Sequence, residues 1–262
     1  MMVAMAIEAA WDLGIELIDY VYPVDPLTKE RSFHLSTVDL EDFLGKELFQ
    51  EFVASCGGRV PQKYKKYDVI LSRVGRRLDL QYEFCVINSW EMESRYFPGG
   101  KIGITLGLLN ALENDTRDYG LKNPTFEDKV AVVVSHAITH VAARHFGKMM
   151  ELRMYLSALI LCAGYALSYF KPEAEDVTRR VALLALSGIG TCTSYHHELA
   201  ADRCGHAMLK KTSFSPEAAL WVQKFYIYQK VRPQGGVSGL FHYLTSTHPT
   251  HADRLKQIQM FT

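Results

Sequence analysis

Residues 130–149 read VAVVVSHAITHVAARHFGKM and predict a strongly apolar helix that carries His136 and His140 one turn apart. Two imidazoles at positions i and i+4 lie about 40° apart around a helix, so both can reach one metal ion. The spacing is that of the H-E-x-x-H motif, in which the histidines bind zinc and the glutamate is the general base. The middle position here is Ala137. The sequence therefore predicts a zinc site without the carboxylate that transfers the proton.

A further ligand is expected from the predicted helix that contains residues 194–205, SYHHELAADRCG. Glu198 and Asp202 stand at i and i+4 in this segment and share one helix face. One carboxylate can bind the metal while the other orients a ligand imidazole, and a catalytic zinc site needs three protein ligands and an open position for water. Without the histidine pair, the same two carboxylates would predict only a salt-bridged surface.

The composition is that of an ordinary folded protein. The 262 residues are 48% hydrophobic and 22% charged, with a formal net charge of zero, so the chain can bury one sizeable core or two small ones. Lysine and arginine form only short runs, at Lys63–Lys66 and Arg73–Arg77, and no nucleic-acid partner is expected.

The cysteines and the start of the chain bear on the compartment. Five widely spaced cysteines without a C-x-x-C pair favour reduced thiols over a disulfide framework. The first 23 residues lack the basic start, long apolar stretch and cleavage site of a secretory signal. We therefore expect an intracellular, reducing compartment.

Hydrophobic periodicity predicts two helices, a small sheet and then the histidine helix. Thr125 and Asp128 resemble a capping box that starts the histidine helix. The other predicted elements are helices at 4–22 and 40–56, strands at 69–77, 81–88 and 101–106, and a short helix at 108–112.

Two apolar runs follow the histidine helix. Met154–Phe170 carries no charge and is near the lower limit of about 17–25 residues for a membrane-spanning helix, whereas Val181–Ile189 is too short. A single crossing would place His140 and Glu198 on opposite sides of the membrane, which a shared zinc ion forbids. We expect buried or membrane-dipping helices rather than spans, with membrane association as an alternative.

Four blocks of sequence resemble the gluzincin-type metallopeptidases related to HtpX, the CAAX prenyl protease and, most of all, the mitochondrial Oma-type peptidases. The blocks occur in the family's order and extend over the chain from about residue 86 onward. They are PGGKIGITLGLL at 98–109, SHAITHVAARH at 135–145, SYHHELAADRCG at 194–205 and STHPTHADR at 246–254.

The resemblance implies the fold and the metal ligands. It implies an α+β, mainly helical zincin-like metallopeptidase domain at 64–262, with a small β-sheet packed on the active-site helix, after an N-terminal helical region at 1–63. It implies that one Zn²⁺ ion is bound by His136, His140 and Glu198, with Asp202 in support. It also makes a mitochondrial or other membrane-associated location an alternative for the compartment.

The resemblance further implies where a peptide or protein substrate binds. The strand that begins at Lys101 is expected to be an edge strand, on which an extended peptide lies as an added strand. His248, in the turn before Pro249, is a candidate for stabilising the oxyanion or closing the pocket. The candidate substrate-binding residues are Lys101, Ile102, Gly103 and Ile104.

The remaining histidines are assigned structural roles. On a continuous helix His145 lies about 180° from His136, so we expect it to form a structural hydrogen bond and not to be a ligand. His197 is expected to point about 100° away from Glu198. Surface or tethering positions are expected for His251 and Arg254.

Ala137 determines what chemistry is expected. General acid–base catalysis contributes about 10²–10⁴-fold, so the chain should bind zinc but cleave peptides very slowly. One explanation is that an experimenter replaced a natural glutamate, which we favour because Glu198, Asp202 and the STHP sequence are retained. The alternatives are a natural pseudopeptidase that binds a partner without cleaving it, and a zinc hydrolase or lyase that acts on a small molecule.

Overall fold

The structure is a computed structural model, and it describes residues 24–25, 27–29, 31, 37–79, 81–170, 195–230 and 250–261. The predicted helix at 4–22, the apolar run at 181–189 and His248 lie outside these residues. The described helices are α1 (Val38–Ser55), α2 (Lys65–Leu78), α3 (Leu106–Asn114), α4 (Phe126–Ala142), α5 (His145–Phe170), α6 (residues 195–210), α7 (Ala218–Lys230) and α8 (His251–Gln259). The strands are β1 (Glu83–Ile87), β2 (Ser94–Phe97) and β3 (Lys101–Thr105).

The three strands form one sheet in the order β1-β3-β2, with β3 parallel to β1 and antiparallel to β2. The prediction that β3 is an edge strand was therefore wrong, because hydrogen bonds to β1 and β2 occupy both of its sides. Alternation of residues predicts that a segment is a strand, but not which strands lie beside it. The correction applies to all four candidate substrate-binding residues: Lys101, Ile102, Gly103 and Ile104.

The predicted strand at 69–77 was also wrong, because these residues belong to α2. The buried residues of α2 include Tyr67, Leu71 and Val74, which recur at helical spacing and face the core. A short apolar run such as residues 69–71 does not distinguish a strand from a buried helix segment.

Helix α4 lies at the centre of the main core and begins at the predicted capping box, which the structure confirms. Thr125 Oγ1 accepts a hydrogen bond from the backbone of Asp128 at 3.2 Å, and the Asp128 carboxylate accepts one from the backbone of Thr125 at 3.1 Å. The apolar residues of α4 pack against α2, α3, α7 and the sheet. The predicted α+β, mainly helical fold, with a small sheet on the histidine helix, is confirmed.

Helix α1 packs on the opposite face of the sheet. Phe49 joins Cys85, Ile87 and Phe97 in a second apolar cluster there. Gly45 lies against the backbone of Pro98, where a β-carbon would collide with the carbonyl oxygen. The N-terminal helix thus supports the sheet, and the predicted boundary between residues 63 and 64 stays a prediction.

The apolar run Met154–Phe170 forms the greater part of α5. Of the two expected arrangements, burial is contradicted, since Leu159, Leu161 and Tyr165 are 66%, 72% and 80% exposed, and a membrane-dipping helix stays a prediction. In the part of the chain that the structure describes, no helix combines the length and hydrophobicity that a membrane crossing requires.

Candidate metal centre

Two helices bring three metal-binding side chains together. The Nε2 atoms of His136 and His140 on α4 lie 3.1 Å apart. The Glu198 carboxylate on α6 lies 3.3 Å from the first and 3.4 Å from the second. Ligand atoms about 2.0–2.1 Å from a tetrahedral zinc ion lie about 3.3–3.4 Å from one another. The donor set and its spacing therefore fit zinc.

The close approach of α6 to α4 depends on Gly205. A β-carbon at Gly205 would lie 3.1 Å from the backbone nitrogen of His136 and 3.2 Å from the carbonyl carbon of Ser135. Glu198 lies about two turns before this contact on α6. Because the two backbones nearly touch here, the carboxylate of one helix can reach the imidazoles of the other.

The surroundings of His136 are ionic. Asp202 Oδ1 lies 3.0 Å from His136 Nδ1, and both Asp202 oxygens accept hydrogen bonds of 2.6 Å from Arg254. Arg254 also lies 3.3 Å from Glu198. Asp202 and Arg254 thus hold both a candidate ligand imidazole and the candidate ligand carboxylate in place.

Of the two positions expected for Arg254, surface or tethering, the structure shows a tethering one. Its side chain, on α8, is buried between Asp202 and Glu198. An arginine in a polar C-terminal segment gives no sequence signal for buried partners, apart from the resemblance of the block at 246–254. His251 is half-buried and tethers α8 to α7, because its Nδ1 lies 2.8 Å from Gln223 Oε1.

The charges around Asp202 determine its protonation. Burial alone would raise the pKa of Asp202, but the charge and hydrogen bonds of Arg254 and the bond to His136 lower it to about 2. Burial alone would lower the pKa of the Arg254 guanidinium, but the negative charges of Asp202 and Glu198 raise it above its usual value. Asp202 is thus an anionic acceptor for a hydrogen bond from His136 Nδ1–H, and a neutral His136 in this tautomer has its lone pair on Nε2, the atom available to a metal.

The surroundings of His140 are aromatic. The ring of Tyr96, on β2, stacks on the His140 ring with centroids 4.2 Å apart and an angle of 11°. His140 Nδ1 lies 2.9 Å from His145 Nδ1, and the His145 ring stacks on His197 at 4.1 Å. No sequence signal for Tyr96 was found, because β2 is short and was not predicted as a strand.

Burial keeps these aromatic neighbours uncharged. It lowers the pKa of His140 to about 4 and that of His197 to about 4, and it lowers the pKa of His145 as well. Burial and the nearby Glu198 raise the pKa of Tyr96, which therefore keeps its phenolic proton. At neutral pH each imidazole has one nitrogen lone pair, the form that binds a metal or accepts a hydrogen bond.

His145 reaches His140 because the helix does not continue through it. Helix α4 ends at Ala142, Arg144 takes a left-handed conformation with φ of 52°, and α5 begins at His145. The prediction that His145 lies about 180° around the helix from His136 was therefore wrong, because it assumed one continuous helix. The segment contains no glycine or proline that would have indicated the break.

Ala137 occupies the motif position that a general base would fill. Its side chain is 1% exposed and belongs to the main apolar cluster. A cavity of about 630 Å³ is lined by Tyr96, His145 and His197, which surround His140, and by several methionines of α5. The centre thus has a complete donor set but no carboxylate at position 137.

Comparison with known proteins identifies the family. The pattern of Peptidase family M48 matches residues 65–262, three quarters of the chain. The chain belongs to this family of metallopeptidases. The resemblance to gluzincin-type metallopeptidases, predicted from the four blocks, is confirmed.

The chain is similar to three known proteases and to one solved structure. Mitochondrial metalloendopeptidase OMA1 of Schizosaccharomyces pombe is 24% identical over 244 residues, which cover 89% of this chain and 64% of that protein. OMA1 of Arabidopsis thaliana is 26% identical over 196 residues, which cover 74% of this chain and 35% of that protein. The β-barrel assembly-enhancing protease of Yersinia pestis is 26% identical over 141 residues, which cover 52% of this chain and 26% of that protein. The chain thus spans less than two thirds of each relative. The crystal structure of Saccharomyces mikatae Ste24p superposes with a TM-score of 0.47 at 16% identity, over 72% of this chain and 49% of that one.

Proposed function

We propose that this M48 chain is a zinc metalloendopeptidase scaffold that binds one Zn²⁺ ion through His136, His140 and Glu198. The observation that carries the proposal is that the two imidazole Nε2 atoms lie 3.1 Å apart and that each has an oxygen of Glu198 within 3.4 Å. Asp202 supports the site by accepting a hydrogen bond from His136 Nδ1–H, the tautomer that leaves Nε2 available. A bound zinc ion would supply Lewis acidity and lower the pKa of a ligand water.

The proposed substrate is an extended peptide that adds to β2 as a further strand. One side of β2 pairs with β3, and among the described residues its other side pairs with no strand. β2 packs against α4, and Tyr96 on β2 stacks on His140. A peptide on this edge would therefore run beside the metal centre.

The proposed rate of hydrolysis is very low because Ala137 cannot accept a proton from water. Restoring a glutamate should increase cleavage by about 10²–10⁴-fold, the usual contribution of general acid–base catalysis. The experiment compares the parent chain with Ala137→Glu and Ala137→Gln on a broad peptide library, after metal analysis of each protein. We expect one zinc ion in all three, and cleavage by the glutamate form alone that phenanthroline abolishes.

The Ala137→Gln variant separates chemistry from packing, because glutamine has the shape of glutamate but cannot act as a base. Equal cleavage by both variants would contradict the assigned role of position 137. Absence of zinc from the parent chain would contradict the metal site itself.

A natural pseudopeptidase is the second candidate function. The observation that favours it is the combination of a complete donor set with an alanine that packs in the apolar core. Such a protein would bind peptides along β2 and release them intact. A zinc-loaded Ala137→Glu form that cleaves nothing in the library, while the parent chain still binds peptides, would favour this candidate over the first.

A mitochondrial location is proposed from the relatives alone, since two of them are described as mitochondrial metalloendopeptidases. Immunodetection of the protein in purified mitochondria tests this proposal. Its presence only in other fractions would contradict it.

A further inference from the structure

The hydrogen bond between His140 and His145 joins the Nδ1 atoms of the two rings, so only one of these two nitrogens can carry its proton. The two Nδ1 atoms lie 2.9 Å apart, and the rings meet at 79°. A hydrogen bond between two imidazole nitrogens needs one donor and one acceptor. If His140 Nε2 binds zinc, as the proposed function requires, the single ring N–H of His140 is at Nδ1. His145 Nδ1 must then be the acceptor of the hydrogen bond that this N–H donates.

We propose that His145 is a positioning residue for the metal centre, whose Nδ1 lone pair fixes the tautomer and ring orientation of His140. Histidine ligands usually donate this second hydrogen bond to a carboxylate, a backbone carbonyl or water. His136 follows that rule through Asp202, whereas His140 donates to a neutral imidazole. The proton of His145 is then on Nε2.

Three features hold His145 in this place. Arg144, in the left-handed conformation, makes two contacts of 3.0 Å with the Glu41 carboxylate of α1. Gly147 allows that carboxylate to approach, because a β-carbon there would collide with Glu41. The His145 ring also stacks on His197 with an angle of 6° between the rings. Helix α1 lies before the part of the chain that matches family M48, so the N-terminal region contributes to the geometry of the site.

The test is a pair of variants that differ in one acceptor. In His145→Asn the side-chain oxygen can take the place of Nδ1, whereas His145→Phe keeps a ring of similar size without an acceptor. Zinc affinity is measured by competition with a chromophoric chelator, and cobalt-substituted forms are compared by their d–d absorption spectra. Neither readout depends on peptidase activity.

We expect His145→Phe to weaken zinc binding by about 10–100-fold, the usual effect of losing such a partner, and to change the cobalt spectrum. His145→Asn should retain most of the parent affinity and the parent spectrum. Equal losses in both variants, or parent affinity in His145→Phe, would overturn the inference while leaving the zinc site intact. A parent chain that binds no zinc would overturn the proposed function and this inference together.

A second measurement needs no substitution and so does not depend on how the variants fold. Nitrogen-15 NMR of the zinc-loaded parent chain, labelled at histidine, reports which ring nitrogens carry protons. We expect a coupling across the hydrogen bond between the two Nδ1 atoms, with an unprotonated Nδ1 on His145. A protonated His145 Nδ1 in the zinc-bound protein would contradict the inference.

Discussion

The two histidines of the candidate metal centre lie one helical turn apart but are held by different chemistry. His136 is fixed by charge, through Asp202 and the guanidinium of Arg254. His140 is fixed by neutral rings, with Tyr96 stacked on one side and His145 at its Nδ1 atom. The comparison indicates that the His136 side depends on charge balance, whereas the His140 side depends on shape and on proton placement.

The largest effect should come from removing the cation on the His136 side. Arg254→Met leaves Asp202 and Glu198, whose side chains are 4% and 6% exposed, without their buried counter-charge. Losing one partner of a buried ion pair costs about 3–5 kcal/mol. Urea denaturation of the zinc-free protein should show this loss in the free energy of unfolding.

The matched control for Arg254→Met is the double variant that also carries Asp202→Asn. It removes the stranded carboxylate, so it should be more stable than the single variant. If the two substitutions instead lower the free energy of unfolding additively, the buried charge is not what Arg254 stabilises.

The next effect is a separation of the two sides by pH in the zinc-free protein. Burial lowers the pKa of His140 from 6.5 to about 4, so the unfolded state gains a proton first as the pH falls. The contribution of His140 to stability should therefore decrease by about 3 kcal/mol between pH 6.5 and pH 4, and His145 and His197, whose pKa values are also lowered, add to the decrease. The pKa of Asp202 is lowered from 3.8 to about 2, so its contribution of about 2 kcal/mol is complete above pH 4 and is lost as the pH falls toward 2.

Free energies of unfolding measured from pH 7 to pH 2 test this order. His140→Gln should make the curve less steep between pH 6.5 and 4, where His145 and His197 still contribute, and Asp202→Asn should make it less steep below pH 4. Identical curves for the two variants would mean that the two sides do not titrate separately.

The contrast between the two sides also explains what could be predicted from the sequence. The i, i+4 spacing of His136 and His140 follows from helix geometry alone, so the sequence was sufficient to place them together. Glu198 is on another helix, and its choice over Asp202 came only from the family resemblance. The structure places Glu198 beside both imidazole Nε2 atoms and Asp202 beside His136 Nδ1.

The errors concern features that depend on long-range contacts. Strand alternation identified β3, but its central place depends on β2, which is four residues long and rich in polar side chains. The sequence around Arg254 does not indicate that α8 turns this side chain toward Asp202. The break before His145 depends on Arg144, whose left-handed conformation is accompanied by an ion pair with Glu41, about 100 residues earlier in the sequence.

The smallest predicted effect comes from adding one methyl group to each side of the centre. In Gly205→Ala the new carbon would lie 3.1 Å from the His136 nitrogen, so the backbones of α4 and α6 must separate by a few tenths of an ångström. Overpacking of this kind costs about 1–3 kcal/mol, and zinc affinity should fall because Glu198 moves with α6. In Gly147→Ala the obstacle is the Glu41 carboxylate, the end of a flexible side chain, although rotating it away loses its contacts with Arg144, which help to hold His145. Because a side-chain end relaxes more readily than a backbone, the loss of unfolding free energy should be smaller than in Gly205→Ala. Urea denaturation and zinc competition on both variants measure the difference, and a larger loss of zinc affinity in Gly147→Ala would show that the His140 side is the more tightly packed of the two.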